Sequence, residues 1–383
     1  MNQPKHASPS PIEFIDLAAQ RRRLGAQVDE AVLRVLSHGR YIMGPEVTQV
    51  EADLAAFCGA SIVVGCASGT DALALVLMAK EVGPGDAVLC PSFTFAATAE
   101  VVAWVGATPL FVDVLPDTFN MDPASLRLGI ERARQLKLRP VGVIPVDLFG
   151  QPADYDEIES ICREQGLWML SDAAQSFGAS YRGRKVGTIG LATATSFFPA
   201  KPLGCYGDGG AIFTEDAALA EVLRSLRVHG QGQDRYDNVR IGMTGRLDSI
   251  QAAVLIEKLK IFEDEIERRN AVAARYNDAL QDVAIVPRVQ PDRSSVWAQY
   301  TIRIDPAKRA GMAEALKAKG IPTAIYYPKP VHQQTAYRRF PCVGNGLPVS
   351  DALGQEVISL PMHAYLEPEL QDRIVDAVRE ALR

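Results

Sequence analysis

Between residues 60 and 215, short apolar runs bounded by turn residues alternate with longer stretches of helical pattern. The runs fall at 62–66, 87–90, 109–114, 141–146, 168–172 and 192–198. Runs this short read as strands buried on both faces, and the helical stretches between them are long enough to serve as crossovers. This rhythm predicts a mostly parallel central sheet with helices on its faces, an α/β fold. The turn-forming Gly207-Asp208-Gly209-Gly210 segment precedes a further run at 211–214, which is expected to return antiparallel to the strand before it.

The rest of the chain has a different organisation. Residues 246–280 form one long helical region rich in Ala, Leu, Glu, Arg and Lys, with no proline to break it. Beyond it the pattern predicts a strand at 296–304, a helix at 307–319, a strand near 321–326 and an amphipathic helix at 367–382. With 383 residues, too many for one ordinary domain, the expectation is a large domain over 1–255 and a smaller C-terminal α/β domain over 256–383, bridged by the long helix.

The net charge of −6 provides no basic footprint for nucleic acid. The most apolar stretch, 62–78, is interrupted by Asp71, so no membrane span is expected. Residues 1–11 are polar and lack the apolar core of a secretory signal; they read as a disordered lead-in, with the cytoplasm as the expected location. The six cysteines are scattered without a CxxC pair and read as reduced core thiols. His229 and His332 have no second ligand at metal-binding spacing, and no metal site is expected.

In parallel sheets, ligands sit beyond the carboxyl ends of the strands, so polar residues just after apolar runs are the candidates. Ser68-Gly69-Thr70-Asp71 follows one run and opens a helix. Its N–H groups and the Thr70 hydroxyl can hold a phosphate, or Ser68 can simply cap the helix. There is no GxGxxG or GxxxxGK[ST] pattern here. Asp172 ends another run, where a buried carboxylate needs a cationic partner; a structural ion pair and a protonated pyridine nitrogen both satisfy it. Lys201 lies between Pro199 and Pro202 on a constrained loop, which suits a nucleophilic amine of lowered pKa, although an ordinary solvated lysine remains the alternative.

Taken in order, Ser68 to Leu73, Pro91-Ser92-Phe93-Thr94-Phe95, Asp172-Ala173-Ala174-Gln175-Ser176, Ser196 to Lys201 and Gly207 to Gly210 resemble the DegT/DnrJ/EryC1/StrS sugar aminotransferase family. Phe14 to Leu17, Tyr41 to Glu46 and Ser359 to His363 extend the likeness over nearly the whole chain. The resemblance implies an aminotransferase of fold type I that uses pyridoxal 5′-phosphate, with Lys201 as the Schiff-base lysine and Asp172 at the ring nitrogen. It also implies Gln175 near the ring hydroxyl, Phe95 on the ring face, and Gly69, Thr70 and Ser196 at the phosphate. Family members share their sites across a homodimer, and 242–247 corresponds to a loop reaching in from the partner. Thr244 departs from the asparagine that many relatives carry there, which leaves the partner-chain phosphate contact open.

Ser196 to Lys201, Cys205 to Asp208 and Arg246 to Asp248 resemble most the members that aminate a UDP-linked 3-keto-N-acetylglucosaminuronic acid for O-antigen, with L-glutamate as donor. That likeness implies Arg246 on the uronate carboxylate, against a capping or interface arginine, and Tyr326 and Tyr327 at the substrate, against two packed tyrosines on a strand. A C4 aminotransferase on a UDP- or dTDP-4-keto sugar and a non-catalytic regulatory protein are the competing readings. A dehydratase of the same family would carry histidine in place of Lys201.

Overall fold

The computed structural model describes residues 12–234, 236–344 and 346–383; the lead-in expected over 1–11 lies outside them. Three helices, α1 (Leu17–Leu24), α2 (Ala26–His38) and α3 (Pro45–Cys58), precede the sheet. There follow in alternation β1 (Ile62–Cys66), α4 (Gly69–Ala79), β2 (Asp86–Pro91), α5 (Ala97–Trp104), β3 (Thr108–Val112), α6 (Pro123–Gln135), β4 (Arg139–Val143), α7 (Tyr155–Gln165) and β5 (Trp168–Asp172). A short ribbon of β6 (Ser180–Tyr181) and β7 (Arg184–Lys185) leads to β8 (Ala192–Ser196), β9 (Gly210–Thr214) and α8 (Ala217–Leu226).

The seven strands order as β1-β9-β8-β5-β4-β2-β3. β9 pairs antiparallel with both β1 and β8, as the glycine-rich turn before it predicts, and the remaining pairs are parallel. Side chains alternate between faces along each strand. Val88 and Cys90 join the cluster around α4, whereas Ala87 and Leu89 join the one under α6 and α7. With both faces covered, every residue of β2 is buried, which is why its sequence shows no polar alternation. Gly142 marks where two elements meet: a Cβ there would lie 2.3 Å from the Trp168 ring.

The long helix α9 (Ser249–Leu280) begins three residues later than expected. Residues 242–248 are held extended instead, with Thr244 bridged to Val228 and Asp248 to Ile42. Arg246 therefore lies on a loop and not at a helix start. Near its N-terminus α9 packs Ala252, Leu255 and Phe262 against β9 and α3, and towards its C-terminus Val272, Tyr276 and Leu280 enter a separate core. That second core is built on the antiparallel pair β10 (Tyr300–Arg303) and β11 (Val357–Leu360), with α10 (Pro306–Ala318) and α12 (Pro368–Leu382) around it, while α11 (Pro348–Glu356) packs Leu353 with Phe93 and Phe149. The boundary expected at 255 falls within α9.

Two C-terminal expectations need correction. The strand expected at 296–304 is confined to β10, because Ser294 and Val296 donate their N–H groups to Ser180 and Gly150 instead. The strand expected near 321–326 is a single bridge between Ala324 and Ser359. Pro322 has no N–H to offer a ladder there. All six cysteines are free and five are buried. Among the described residues no helix is long and apolar enough to cross a membrane.

Phe177 links the main sheet to α9: its ring stacks 5.1 Å from Phe213 and lies 6.2 Å from Phe262. Phe177→Ala is expected to destabilise the protein by about 3–5 kcal/mol, read as a lower urea midpoint with an unchanged slope.

Candidate active site

The carboxyl ends of the parallel strands lie along one edge of the sheet, and the polar residues predicted from sequence collect there. Asp172 ends β5 and is 6% exposed. Its Oδ2 accepts from the Thr98 hydroxyl at 2.9 Å, and its Oδ1 accepts from the Ala174 N–H at 3.2 Å. Burial pushes its carboxyl above the ordinary value, while the Thr98 and Ala174 donors and the charge of Lys201 draw it down.

Lys201 lies on the loop after β8, where its N–H closes a turn on the Phe198 carbonyl at 2.8 Å. Burial lowers the pKa of its amine, and the charge of Asp172 opposes this. A desolvated amine beside a carboxylate has the chemistry a nucleophile needs.

Gln175 is positioned from two sides. Its Oε1 accepts from the Phe149 N–H at 2.7 Å, and its Nε2 donates to the Tyr327 hydroxyl at 3.4 Å. The Tyr327 ring lies 6.3 Å from the rings of both Phe93 and Phe95. Phe95 itself is 57% exposed, an apolar ring with one face free. The Tyr326 ring lies edge-on to that of Tyr327 at 5.8 Å and 6.3 Å from that of Phe14.

Gly69 and Thr70 begin α4 and Ser68 caps it, accepting from the Asp71 N–H at 3.0 Å. Capping by Ser68 leaves the first N–H groups of the helix without intrahelical partners, so the two readings of this segment hold together. A Cβ on Gly69 would sit 2.6 Å from the Ser196 Cβ, and one on Gly210 would sit 2.4 Å from the Ser68 carbonyl oxygen. Only glycines let the helix start approach the ends of β8 and β9 this closely. The result is a cup of N–H and hydroxyl donors suited to an anion. An exposed aromatic ring, a buried carboxylate and a buried amine adjoin it, and these groups fit a flat ring that bears a basic nitrogen, a carbonyl and a phosphate.

Two predicted residues stand apart. The Thr244 hydroxyl pairs with His229 Nε2 at 2.9 Å within the chain. Arg246 has a buried Nε with no hydrogen-bond partner, and no hydrogen bond or ion pair among the described residues joins it to Lys201, Asp172 or Gln175. Its loop nevertheless borders the cup, since the Gly245 carbonyl accepts from the Ala67 N–H at 3.2 Å.

Sequence reading missed Asp147 and His332. Asp147 is fully buried behind Asp172, and burial pushes its carboxyl up to about 7. Its signal was present, a charged residue just after the apolar run 141–146. His332 Nδ1 lies 2.6 Å from Ser92 Oγ, which ties the segment bearing Tyr327 to the end of β2. Nothing in the local sequence announces that pairing across 240 positions.

Residues 22–379 match the model of the DegT/DnrJ/EryC1/StrS aminotransferase family. Over 357 residues the chain is 49% identical to the UDP-2-acetamido-2-deoxy-3-oxo-D-glucuronate aminotransferase of Pseudomonas aeruginosa, covering 93% of this chain and 96% of that one. The crystal structure of a DegT DnrJ EryC1 StrS aminotransferase from Brucella abortus aligns with a TM-score of 0.95 at 51% identity, over 97% of this chain and 99% of that one. NtdA from Bacillus subtilis with bound cofactor PMP aligns with a TM-score of 0.89 at 26% identity, over 99% of this chain and 86% of that one.

Because the folded protein raises the Asp147 carboxyl from 3.8 to about 7, it holds that proton more tightly than the unfolded chain does. The stability this contributes is complete below the unfolded value and is lost as pH rises to about 7, on the order of 1.4 kcal/mol per pH unit crossed. Asp147→Asn, measured by thermal melts without added cofactor, is expected to flatten the fall in Tm between pH 4.5 and 7.5 relative to the wild type. A parallel fall in both proteins would contradict this.

Proposed function

Since the chain belongs to the DegT/DnrJ/EryC1/StrS aminotransferase family, we propose that it transfers an amino group from L-glutamate to a UDP-linked 3-keto-2-acetamido-2-deoxyglucuronate, giving the 3-amino sugar for O-antigen. The observation that carries the chemistry is Lys201 facing Asp172 at the ends of β8 and β5, each shifted by burial away from its charged form. The 49% identity to a relative named for that uronate supports the substrate. Arg246 is compatible with it, since no ion pair among the described residues engages its guanidinium and its Nε has no hydrogen-bond partner.

Pyridoxal 5′-phosphate is the cofactor, and when bound it supplies an electron sink for charge released at the donor's α-carbon. Gly69, Thr70 and Ser196 would hold its phosphate and Phe95 its ring face, while Gln175 would hold the ring hydroxyl and Lys201 the carbonyl carbon. Asp172 would face the ring nitrogen and favour its protonated form. The Lys201 amine, its pKa lowered by burial, takes the proton from the α-carbon of glutamate. It later delivers one to the sugar carbon that gains nitrogen. Tyr327, held by Gln175 and packed on Phe95, closes the substrate side together with Tyr326.

A homodimer with shared sites suits the exposed apolar residues Tyr41, Ile42, Phe198 and Tyr206. In that assembly Arg246 would reach the partner's site.

Lys201→Ala is expected to abolish transamination and the absorbance of a lysine-bound cofactor; retention of both in the purified variant would overturn the assignment. Arg246→Ala is expected to lower kcat/KM for the uronate by about 100-fold, the worth of a bidentate charged pair of about 3 kcal/mol, with a much smaller loss for a neutral 3-keto sugar. Equal losses on both substrates would remove Arg246 from carboxylate recognition.

A further inference from the structure

The proposed reaction leaves a second buried carboxylate beside Asp172 without a role. Asp147 Oδ1 accepts from the Ala153 N–H at 2.8 Å, and Oδ2 accepts from the Tyr155 hydroxyl at 2.6 Å and the Ser176 hydroxyl at 2.5 Å. The Tyr155 hydroxyl lies in turn 2.5 Å from Ser171 Oγ. Ser171 and Ser176 flank residues 172–175, so one carboxylate pins both ends of the stretch that carries Asp172 and Gln175.

The backbone repeats the coupling. The Asp147 N–H donates to the Asp172 carbonyl at 3.1 Å, and the Asp172 N–H donates to the Pro145 carbonyl at 2.9 Å. Two residues beyond Asp147, the Phe149 N–H holds Gln175. Three donors satisfy Asp147, but no ion pair among the described residues reaches either acid.

The charged and titratable groups around the two acids come from several elements. Tyr155 on α7 and Asp172 face Asp147, with the neutral donors Ser176 and Ala153. Lys201 faces Asp172, whose charge is also felt by Cys90, Tyr155 and Tyr327. The charge of Asp172 holds back the ionisation of Asp147, so a cation placed at Asp172 eases the ionisation of the acid behind it.

We infer that Asp147 is a positioning residue for the ring nitrogen: it fixes the Asp172–Gln175 stretch and backs Asp172 with a second negative charge, so the protein prefers a ring that carries N–H⁺ over one that cannot. This rests on the reading of Asp172 proposed above. The preference follows the ionisation of Asp147 and therefore strengthens as pH rises through neutrality.

The test compares dissociation constants for pyridoxal 5′-phosphate and for 1-deazapyridoxal 5′-phosphate, which lacks the ring nitrogen, by equilibrium dialysis at pH 6 and pH 8. Wild type is expected to favour the nitrogen-bearing ring at pH 8 and to lose part of that ratio at pH 6. Asp147→Asn is expected to lower the pH 8 ratio by about tenfold, one pK unit of coupling, and to leave the deaza affinity unchanged. Equal weakening of both ligands would reduce Asp147 to a structural role, and an unchanged ratio would also overturn the inference. If the variant does not fold, a wild-type ratio that stays flat between pH 6 and pH 8 overturns it. Asp172→Asn separates the two readings: loss of the preference there but not in Asp147→Asn defeats this inference alone, whereas a wild type with no preference at either pH defeats both.

Discussion

Lys201 and Asp172 lie near each other in the packed chain: burial lowers the pKa of the amine and raises that of the acid, and each one's charge opposes the other's shift. Buried charges of this kind cost several kcal/mol unless paired. Much of the surrounding architecture can be understood as keeping them in register. Thr98 and the Ala174 N–H hold the carboxylate, and the turn between two prolines holds the amine.

That pair is useful because of what the sheet brings to the same edge. Parallel strands deliver their carboxyl ends side by side, so residues far apart in the chain meet without long loops. The approach at Gly69 and Gly210, where no Cβ can be accommodated, brings the start of α4 against β8 and β9. From the C-terminal part of the chain, Tyr327 packs beside Phe93 and bonds Gln175, and His332 and Ser92 anchor the segment that carries it. The long helix α9 contributes to both cores and so couples their relative placement. In the proposed enzyme, the large sheet supplies the chemistry and the smaller unit supplies cover.

Much of this was legible in the sequence. The strands buried on both faces appear as unbroken apolar runs, and the antiparallel return of β9 was announced by its glycines. Legibility failed where pairing was decided by distant partners. The start of the run 296–304 looks like strand, but Val296 bonds to Gly150, and Arg246 sits in a helix-forming context yet lies on an extended loop. Asp147 went unread because a lone acid after an apolar run says nothing about the hydroxyls of Tyr155 and Ser176 that enclose it.

The sequence by itself determined the class of fold, the family and the order of the site motifs, because periodicity and local turn chemistry act over a few residues and survive without tertiary context. Only the tertiary structure decided which of those motifs meet and in what ionisation state. Lys201 was, by its flanking prolines, either a nucleophile or a surface lysine; only the packed chain sets its amine near Asp172, where burial lowers its pKa. Desolvation and long-range hydrogen bonds depend on the whole packed chain, and no window of sequence contains them.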